Sequence, residues 1–83
     1  MITKDCVEAA YCFFHQKWRI YASSTIATQR DDIEYAVASY VDDMNKDLYA
    51  MLANGAAHFL TDHTSFSKDM PKAIEKLESM MQA

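Results

Sequence analysis

A thiol and an imidazole lie three residues apart near the start of the chain, at Cys12 and His15. At this spacing they can share a transition metal such as Zn²⁺, and a thiol near a cation such as Arg19 can become a reactive thiolate. A structural zinc site needs four ligands, so His58 and His63 would have to join them. We expect an ordinary polar helix face with no bound cofactor. The alternative is a small metal-binding or thiol-dependent protein centred on Cys12 and His15.

The stretch YVDDMN, from Tyr40 to Asn45, contains a Tyr-x-Asp-Asp tetrapeptide. It resembles the metal-binding signature of reverse transcriptases, in which two adjacent aspartates in a strand turn hold Mg²⁺ against a nucleoside triphosphate. That resemblance implies phosphoryl chemistry. The apolar spacing instead predicts a helix here, with Tyr40 and Val41 on its buried stripe and Asp42 and Asp43 about 100° apart in solvent. We therefore interpret the match as part of a charged helix surface.

Other catalytic arrangements also lack their required residues. A cysteine nucleophile needs a nearby base and commonly an oxyanion hole in a glycine-containing turn, but the only glycine is Gly55. Di-iron chemistry in a helical bundle needs two Glu-x-x-His pairs, and the sequence contains none. The sequence therefore predicts a protein that is not an enzyme.

Length and composition favour one small helical domain. The chain has 83 residues, of which 51% are hydrophobic and 12% aromatic, a proportion that can form a packed core. One glycine and one proline leave few turns, which argues against many strands and for a few long helices. We predict a single domain over residues 1–83, all-α, folded as a small antiparallel bundle of three to four helices.

Apolar residues at helical spacing indicate the first two helices. Thr3 can cap a helix from about Lys4 to Tyr21. A second helix is predicted from about Ser24 to Met44, with Thr28 and Asp31 as a capping-box-like pair. The apolar stripe predicted for this second helix consists of Ile26, Ile33, Val37, Tyr40, Val41 and Met44.

The second half of the chain predicts one or two further helices. Asn45 can cap a helix that begins at Lys46. The Asn-Gly pair ending at Gly55 could stop it, but the apolar spacing continues, so we expect this helix to run on to Leu60. After a connecting segment, a last helix is predicted to end at about Met81. Its candidate caps are Ser65, Ser67 and Asp69.

Charge and hydropathy limit the partners and the compartment. A net charge of −4 lacks the basic surface that nucleic acids require. No apolar run approaches the ~18 residues that span a bilayer, so we expect no membrane partner. The first residues do not resemble a secretory signal, and Cys6 and Cys12 are spaced too far apart on one helix to form a disulfide. We therefore expect a cytoplasmic protein with two free thiols.

Surplus apolar surface on the first and last helices predicts binding to another protein. Aromatic residues and soft methionines exceed what one buried stripe needs, and small helical domains often complete their core by self-association. We predict a non-enzymatic interaction or regulatory module, most simply a homodimer. The predicted interface consists of Tyr11, Phe13, Trp18, Ile20, Met80 and Met81.

The predicted second helix also offers an acidic surface. Its members share the solvent side of the helix: Asp31, Asp32, Tyr35, Asp42 and Asp43. Such a surface could bind an unidentified basic protein, although nucleic-acid mimicry generally uses many more negative charges. Docking of a basic partner is therefore kept as the second binding hypothesis.

Overall fold

The computed structural model describes residues 2–82, which fold into four α-helices with no strand in that range. The helices are α1 (Lys4–Ser23), α2 (Ala27–Asp43), α3 (Lys46–Ala53) and α4 (Phe66–Gln82). The prediction of a small all-α bundle is confirmed. None of the helices over these residues combines the length and apolar character needed to cross a membrane.

Ring contacts show that α1 and α2 pack in opposite directions. Near the end of α1, Tyr21 lies under the guanidinium of Arg30, early in α2, with 4.3 Å between the group and the ring centroid. About two turns earlier in α1, Phe13 stacks on Tyr40, late in α2, at a centroid distance of 4.2 Å. Residue numbers therefore fall along α1 as they rise along α2, which is an antiparallel hairpin.

The same reasoning makes α4 antiparallel to α1. Tyr21 contacts Phe66, at the start of α4, with ring centroids 4.8 Å apart. At the other end, Val7 and Met80 line the same surface depression. Helix α1 therefore lies between α2 and α4, and α3 packs against α4. The largest side chains buried between the helices are Phe14, Phe66, Leu48, Leu60, Met70, Leu77 and Val37.

A cap fixes the beginning of α1 at the predicted residue. The Thr3 hydroxyl oxygen accepts a hydrogen bond from the Cys6 backbone N–H at 3.2 Å. In return, the Thr3 backbone N–H donates to the Cys6 sulfur, also at 3.2 Å. Cys6 thus stands where a capping box usually has Glu or Gln. The cap satisfies N–H groups that the first helical turn leaves without partners.

The predicted start of α2 was wrong by three residues. The helix begins at Ala27, with Ile26 as its N-cap. The Ser24 hydroxyl oxygen accepts a hydrogen bond from the Ile26 backbone N–H at 3.2 Å, and this local turn competes with helix at those residues. Thr28 therefore lies inside the helix and is not its cap. Ile26, predicted to be on the buried stripe, is 59% exposed.

The predicted continuation of α3 through Gly55 to Leu60 was also wrong. Helix α3 ends at Ala53, and Asn54 follows in the left-handed region with φ 49°. Gly55 is also left-handed, with φ 83°. Asn and Gly reach this conformation at little cost, so together they terminate the helix. Residues 54–65 then form a non-helical segment, which we call the α3–α4 loop.

Candidate functional site

Two ridges of apolar side chains run side by side on one surface of the bundle. Tyr11 and Trp18 are seven residues apart on α1, and Ile74 and Met81 are seven residues apart on α4, so each pair shares one side of its helix. Trp18 and Ile74 line a common depression. Three of the four are half-buried, and Met81 is 37% exposed. We call these four residues the α1–α4 face.

The other helices lie on different sides of α1 and α4. Helix α2 meets α1 through Phe13, which lies about 140° around the helix from Trp18. Helix α3 meets α4 through Lys76, whose ammonium donates to the Met51 carbonyl at 2.9 Å. Lys76 is about 160° around α4 from Ile74. Consequently, no helix in residues 2–82 covers the α1–α4 face.

The six residues predicted as an interface are divided among three places. Tyr11, Trp18 and Met81 belong to the α1–α4 face. Phe13 is stacked on α2, as described above, and Met80 is half-buried beside Val7. Ile20 is 43% exposed but lies on the far side of α1 from Trp18. Sequence periodicity placed all six on or beside an apolar stripe, but only tertiary packing decides which part of a stripe another helix covers.

Charged side chains flank both edges of the α1–α4 face. On the α1 edge, the exposed Arg19 and half-buried His15 lie just beyond the aromatic ridge. The exposed Glu8 lies on the same edge, two turns nearer the start of α1 than His15. On the α4 edge, Glu75 and Glu78 line the depression that contains Trp18 and Ile74. The α1 edge therefore carries an arginine and a glutamate, and on the α4 edge the exposed Lys68 lies seven residues before Glu75.

The acidic surface predicted on the second helix is exposed as expected. Asp31, Asp32, Tyr35, Asp42 and Asp43 all lie on α2 and all are exposed. Tyr35 is 78% exposed, the highest value among the large hydrophobic residues that reach solvent. The helix continues through Asp42 and Asp43, so the Tyr-x-Asp-Asp stretch is helical and contains no strand turn. This geometry does not aim the two carboxylates at one ion.

The thiol and the imidazoles singled out in the sequence lie apart from one another. Cys12 is exposed, and the His15 ring stacks on Tyr11 with centroids 5.4 Å apart. Within residues 2–82, no three His, Cys, Asp or Glu side chains are placed to hold a metal ion together. The four residues Cys12, His15, His58 and His63 therefore do not converge.

One polar contact that the sequence did not predict joins the α3–α4 loop to α2. The His63 Nδ1 atom lies 2.7 Å from Glu34 Oε1, and the Tyr21 hydroxyl donates to Glu34 Oε2 at 3.3 Å. The hydrogen bond to Glu34, together with its negative charge, raises the pKa of His63; the nearby carboxylates Asp31 and Asp62 act in the same direction. Because 29 residues separate the pair, no local pattern could have indicated it.

A buried carboxylate holds the same loop at its other end. Asp69 is 8% exposed, and its Oδ2 accepts hydrogen bonds from the Leu60 backbone N–H and the Ser65 hydroxyl, both at 3.0 Å. The Tyr49 hydroxyl donates to the Phe59 carbonyl at 2.7 Å. The sequence presented Asp69 as a candidate helix cap. Its role in the structure is to anchor a loop segment that precedes the helix.

Comparison of the chain with protein-family models, with curated proteins and with solved structures finds no match. Function is therefore inferred from the geometry described above. Of the surfaces described, the α1–α4 face combines large apolar side chains with partial exposure.

Proposed function

We propose that this protein is a non-enzymatic, cytoplasmic interaction module that forms a homodimer through the α1–α4 face. The observation that carries the proposal is the pair of apolar ridges formed by Tyr11 with Trp18 and by Ile74 with Met81. Large apolar residues aligned on an uncovered surface are typical of protein interfaces. Both cysteines are free in the described chain, which fits a reducing compartment.

The dimensions of the face suit a second copy of this chain. Helix α1 has 20 residues, a length of about 30 Å, and two packed helices present a width of about 20 Å. The projected area is therefore roughly 600 Å², close to the ~800 Å² that each partner buries in a specific interface. A small bundle that covers this surface gains apolar burial that it cannot supply alone.

Sedimentation velocity across a concentration series tests the dimer directly. The monomer has a mass of 9.5 kDa, so the proposal expects about twice that mass at micromolar concentrations. Met81→Glu places a charge on the face and is expected to give a monomer. Met51→Glu is the matched control, because Met51 is also an exposed methionine, at 44%, but lies on α3. Circular dichroism should show that both variants keep their helices.

Trp18 provides a second readout, because it is the only tryptophan in the chain and belongs to the face. If a partner copy covers it, dilution through the dissociation range should shift its fluorescence emission to longer wavelength. The Met81→Glu variant should already show the shifted emission at high concentration. A wild-type chain that stays at 9.5 kDa at hundreds of micromolar would remove the proposal. Equal effects of the Met81 and Met51 substitutions would contradict the choice of surface.

A further inference from the structure

A cavity of about 580 Å³ opens between the end of α3, the α3–α4 loop and α4. Its inner wall is formed by Leu52 and Ala53 from α3, Phe59 from the loop and Asp69 from the first turn of α4, none of which is more than 8% exposed. Pockets that bind small organic molecules commonly measure ~300–1,000 Å³. We call this space the Asp69 cavity.

One carboxylate oxygen of Asp69 is left available to a ligand. Its Oδ2 atom accepts the two hydrogen bonds from Leu60 and Ser65 described above, whereas no donor or cation among residues 2–82 contacts Oδ1. No side-chain oxygen in this part of the chain is both fully buried and without a hydrogen bond. Oδ1 is therefore open to solvent, through the cavity that Asp69 lines.

The charges around the cavity favour a ligand that donates a hydrogen bond to Oδ1. A carboxylate oxygen only accepts hydrogen bonds, and the bond is strongest when the donor is a cation. The cations of the chain do not supply it: the Lys76 ammonium donates to the Met51 carbonyl at 2.9 Å, and Lys72 is exposed at the rim. The two lysines balance the charges of Asp69 and Glu75 in the lining, so the net field of the cavity excludes neither sign.

The apolar wall is held in place before any ligand binds. The Phe59 carbonyl accepts the hydrogen bond from Tyr49, and the residues on either side of Phe59 have left-handed backbones, with φ 57° at His58 and 66° at Leu60. Backbone in this region persists only where surrounding contacts hold it. A wall that is already ordered reduces the entropy that a ligand must overcome.

We propose that the Asp69 cavity binds a small organic amine, whose ammonium group donates to Asp69 Oδ1 while its apolar body lies against Leu52 and Phe59. None of the four residues of the α1–α4 face lines this cavity, so the inference does not depend on the proposed homodimer. Three molecules with the same ring and a similar short chain separate the contributions of the polar group. They are phenethylamine, which is protonated at neutral pH, phenethyl alcohol and the carboxylate hydrocinnamate.

Titration followed by proton–nitrogen NMR measures binding to the wild-type chain and locates it. Phenethylamine should shift the backbone signals of Ala53, Phe59 and Asp69, with a dissociation constant on the order of 1 mM, as a ligand of so few atoms allows. The alcohol and the carboxylate should bind about tenfold more weakly, because neither offers a charged donor. Tighter binding of hydrocinnamate than of phenethylamine would overturn the proposal, since the lysines would then be the recognition groups.

Asp69→Asn tests the carboxylate without removing the acceptor for Leu60. The amide oxygen can keep that hydrogen bond, and the amide NH₂ group then stands in the place of Oδ1. Phenethylamine should bind this variant about tenfold more weakly and lose its advantage over the alcohol. Glu75→Gln is the matched control, because it neutralises the other carboxylate of the lining and should leave the affinity unchanged. An equal loss in both variants would overturn the assignment to Asp69.

A second pair of variants tests the cavity without altering Asp69. Ala56 and Ala57 are both exposed in the α3–α4 loop, but of the two only Ala56 lines the cavity. Ala56→Phe should fill the opening and abolish binding of phenethylamine, whereas Ala57→Phe should bind it as the parent does. Equal binding by the two variants would overturn the site. So would a wild-type chain whose NMR signals do not respond to phenethylamine, or respond only on the α1–α4 face.

Discussion

The carboxylate of Asp69 accepts a hydrogen bond at 3.0 Å from the backbone N–H of Leu60, nine residues earlier in the chain. Leu60 is fully buried, and its backbone is left-handed, with φ 66°. A branched side chain is costly in that conformation, so surrounding contacts must hold it there. The buried N–H also needs an acceptor. The Asp69 carboxylate is that acceptor, and the hydrogen bond holds the α3–α4 loop against α4.

Replacing the buried Asp69 by Ala should therefore destabilise the protein. The substitution leaves the buried Leu60 N–H without its acceptor, which costs about 1–3 kcal/mol in the free energy of unfolding. It also removes a negative charge from the first turn of α4, where the helix dipole favours one. Urea denaturation at neutral pH measures the loss.

Asp42→Ala is the matched control, because Asp42 is exposed near the C-terminus of α2. A negative charge there opposes the helix dipole, so its removal should be neutral or slightly stabilising. Equal destabilisation by the two substitutions would show that Asp69 contributes no more than an ordinary surface carboxylate.

Gly55→Ala tests the end of α3. A methyl group at Gly55 would meet no atom of the described residues within 4 Å, so the cost comes from the backbone rather than from packing. At φ 83°, alanine should lose about 1 kcal/mol of stability relative to glycine. Gly55→Asn should lose less, because asparagine adopts left-handed conformations more readily. Thermal unfolding of the three chains compares them, and an unchanged Ala variant would contradict the argument.

Helix positions were largely predictable because they depend on local periodicity. The α1 cap at Thr3 and the α3 cap at Asn45 were read from residue type and position alone. The start of α2 was not, because Ser24 forms a local turn that competes with its capping role. The end of α3 was missed because Phe59 and Leu60 continue the helical spacing of apolar residues. They are buried, but from an irregular loop.

The candidate surface was predictable only in part for a similar reason. The aromatic content of α1 predicted a contact surface on that helix. In the structure, Tyr11, Trp18 and Met81 are partly exposed to solvent. Phe13 is also an aromatic residue of α1, but Tyr40 of α2 stacks on it. Long-range polar contacts, such as Glu34 with His63, left no local pattern. Which edge of a helix stays uncovered depends on which other helices pack against it, and the sequence of a single helix does not determine that arrangement.

Phe14→Ala should show that the core depends on α1. Phe14 is fully buried and lies edge-on to Tyr40 with centroids 5.4 Å apart. Truncation of such a side chain costs about 3–5 kcal/mol, comparable to the whole stability of many small domains. Circular dichroism melting should find the variant largely unfolded near 37 °C. Ile26→Ala, at an exposed position, should melt with the parent, and a Phe14 variant within a few degrees of it would refute the assignment.

The contact between His63 and Glu34 should make stability depend on pH. Glu34 raises the pKa of His63 above its ordinary value of 6.5, so the folded state binds the proton more tightly than the unfolded chain does. The stabilisation is therefore complete below pH 6.5 and is lost as pH rises through the elevated pKa.

Urea midpoints measured from pH 5.5 to 8.5 should fall over that window in the parent and in the control His58→Gln, but not in His63→Gln. Proton NMR provides the direct check, because Glu34→Gln should return the His63 titration toward its ordinary value. The contact is formed on the protein surface, where His63 is 76% exposed, so salt should also reduce the difference. Identical His63 titrations in the parent and in Glu34→Gln would contradict the coupling, since the carboxylate charge is what favours the protonated ring.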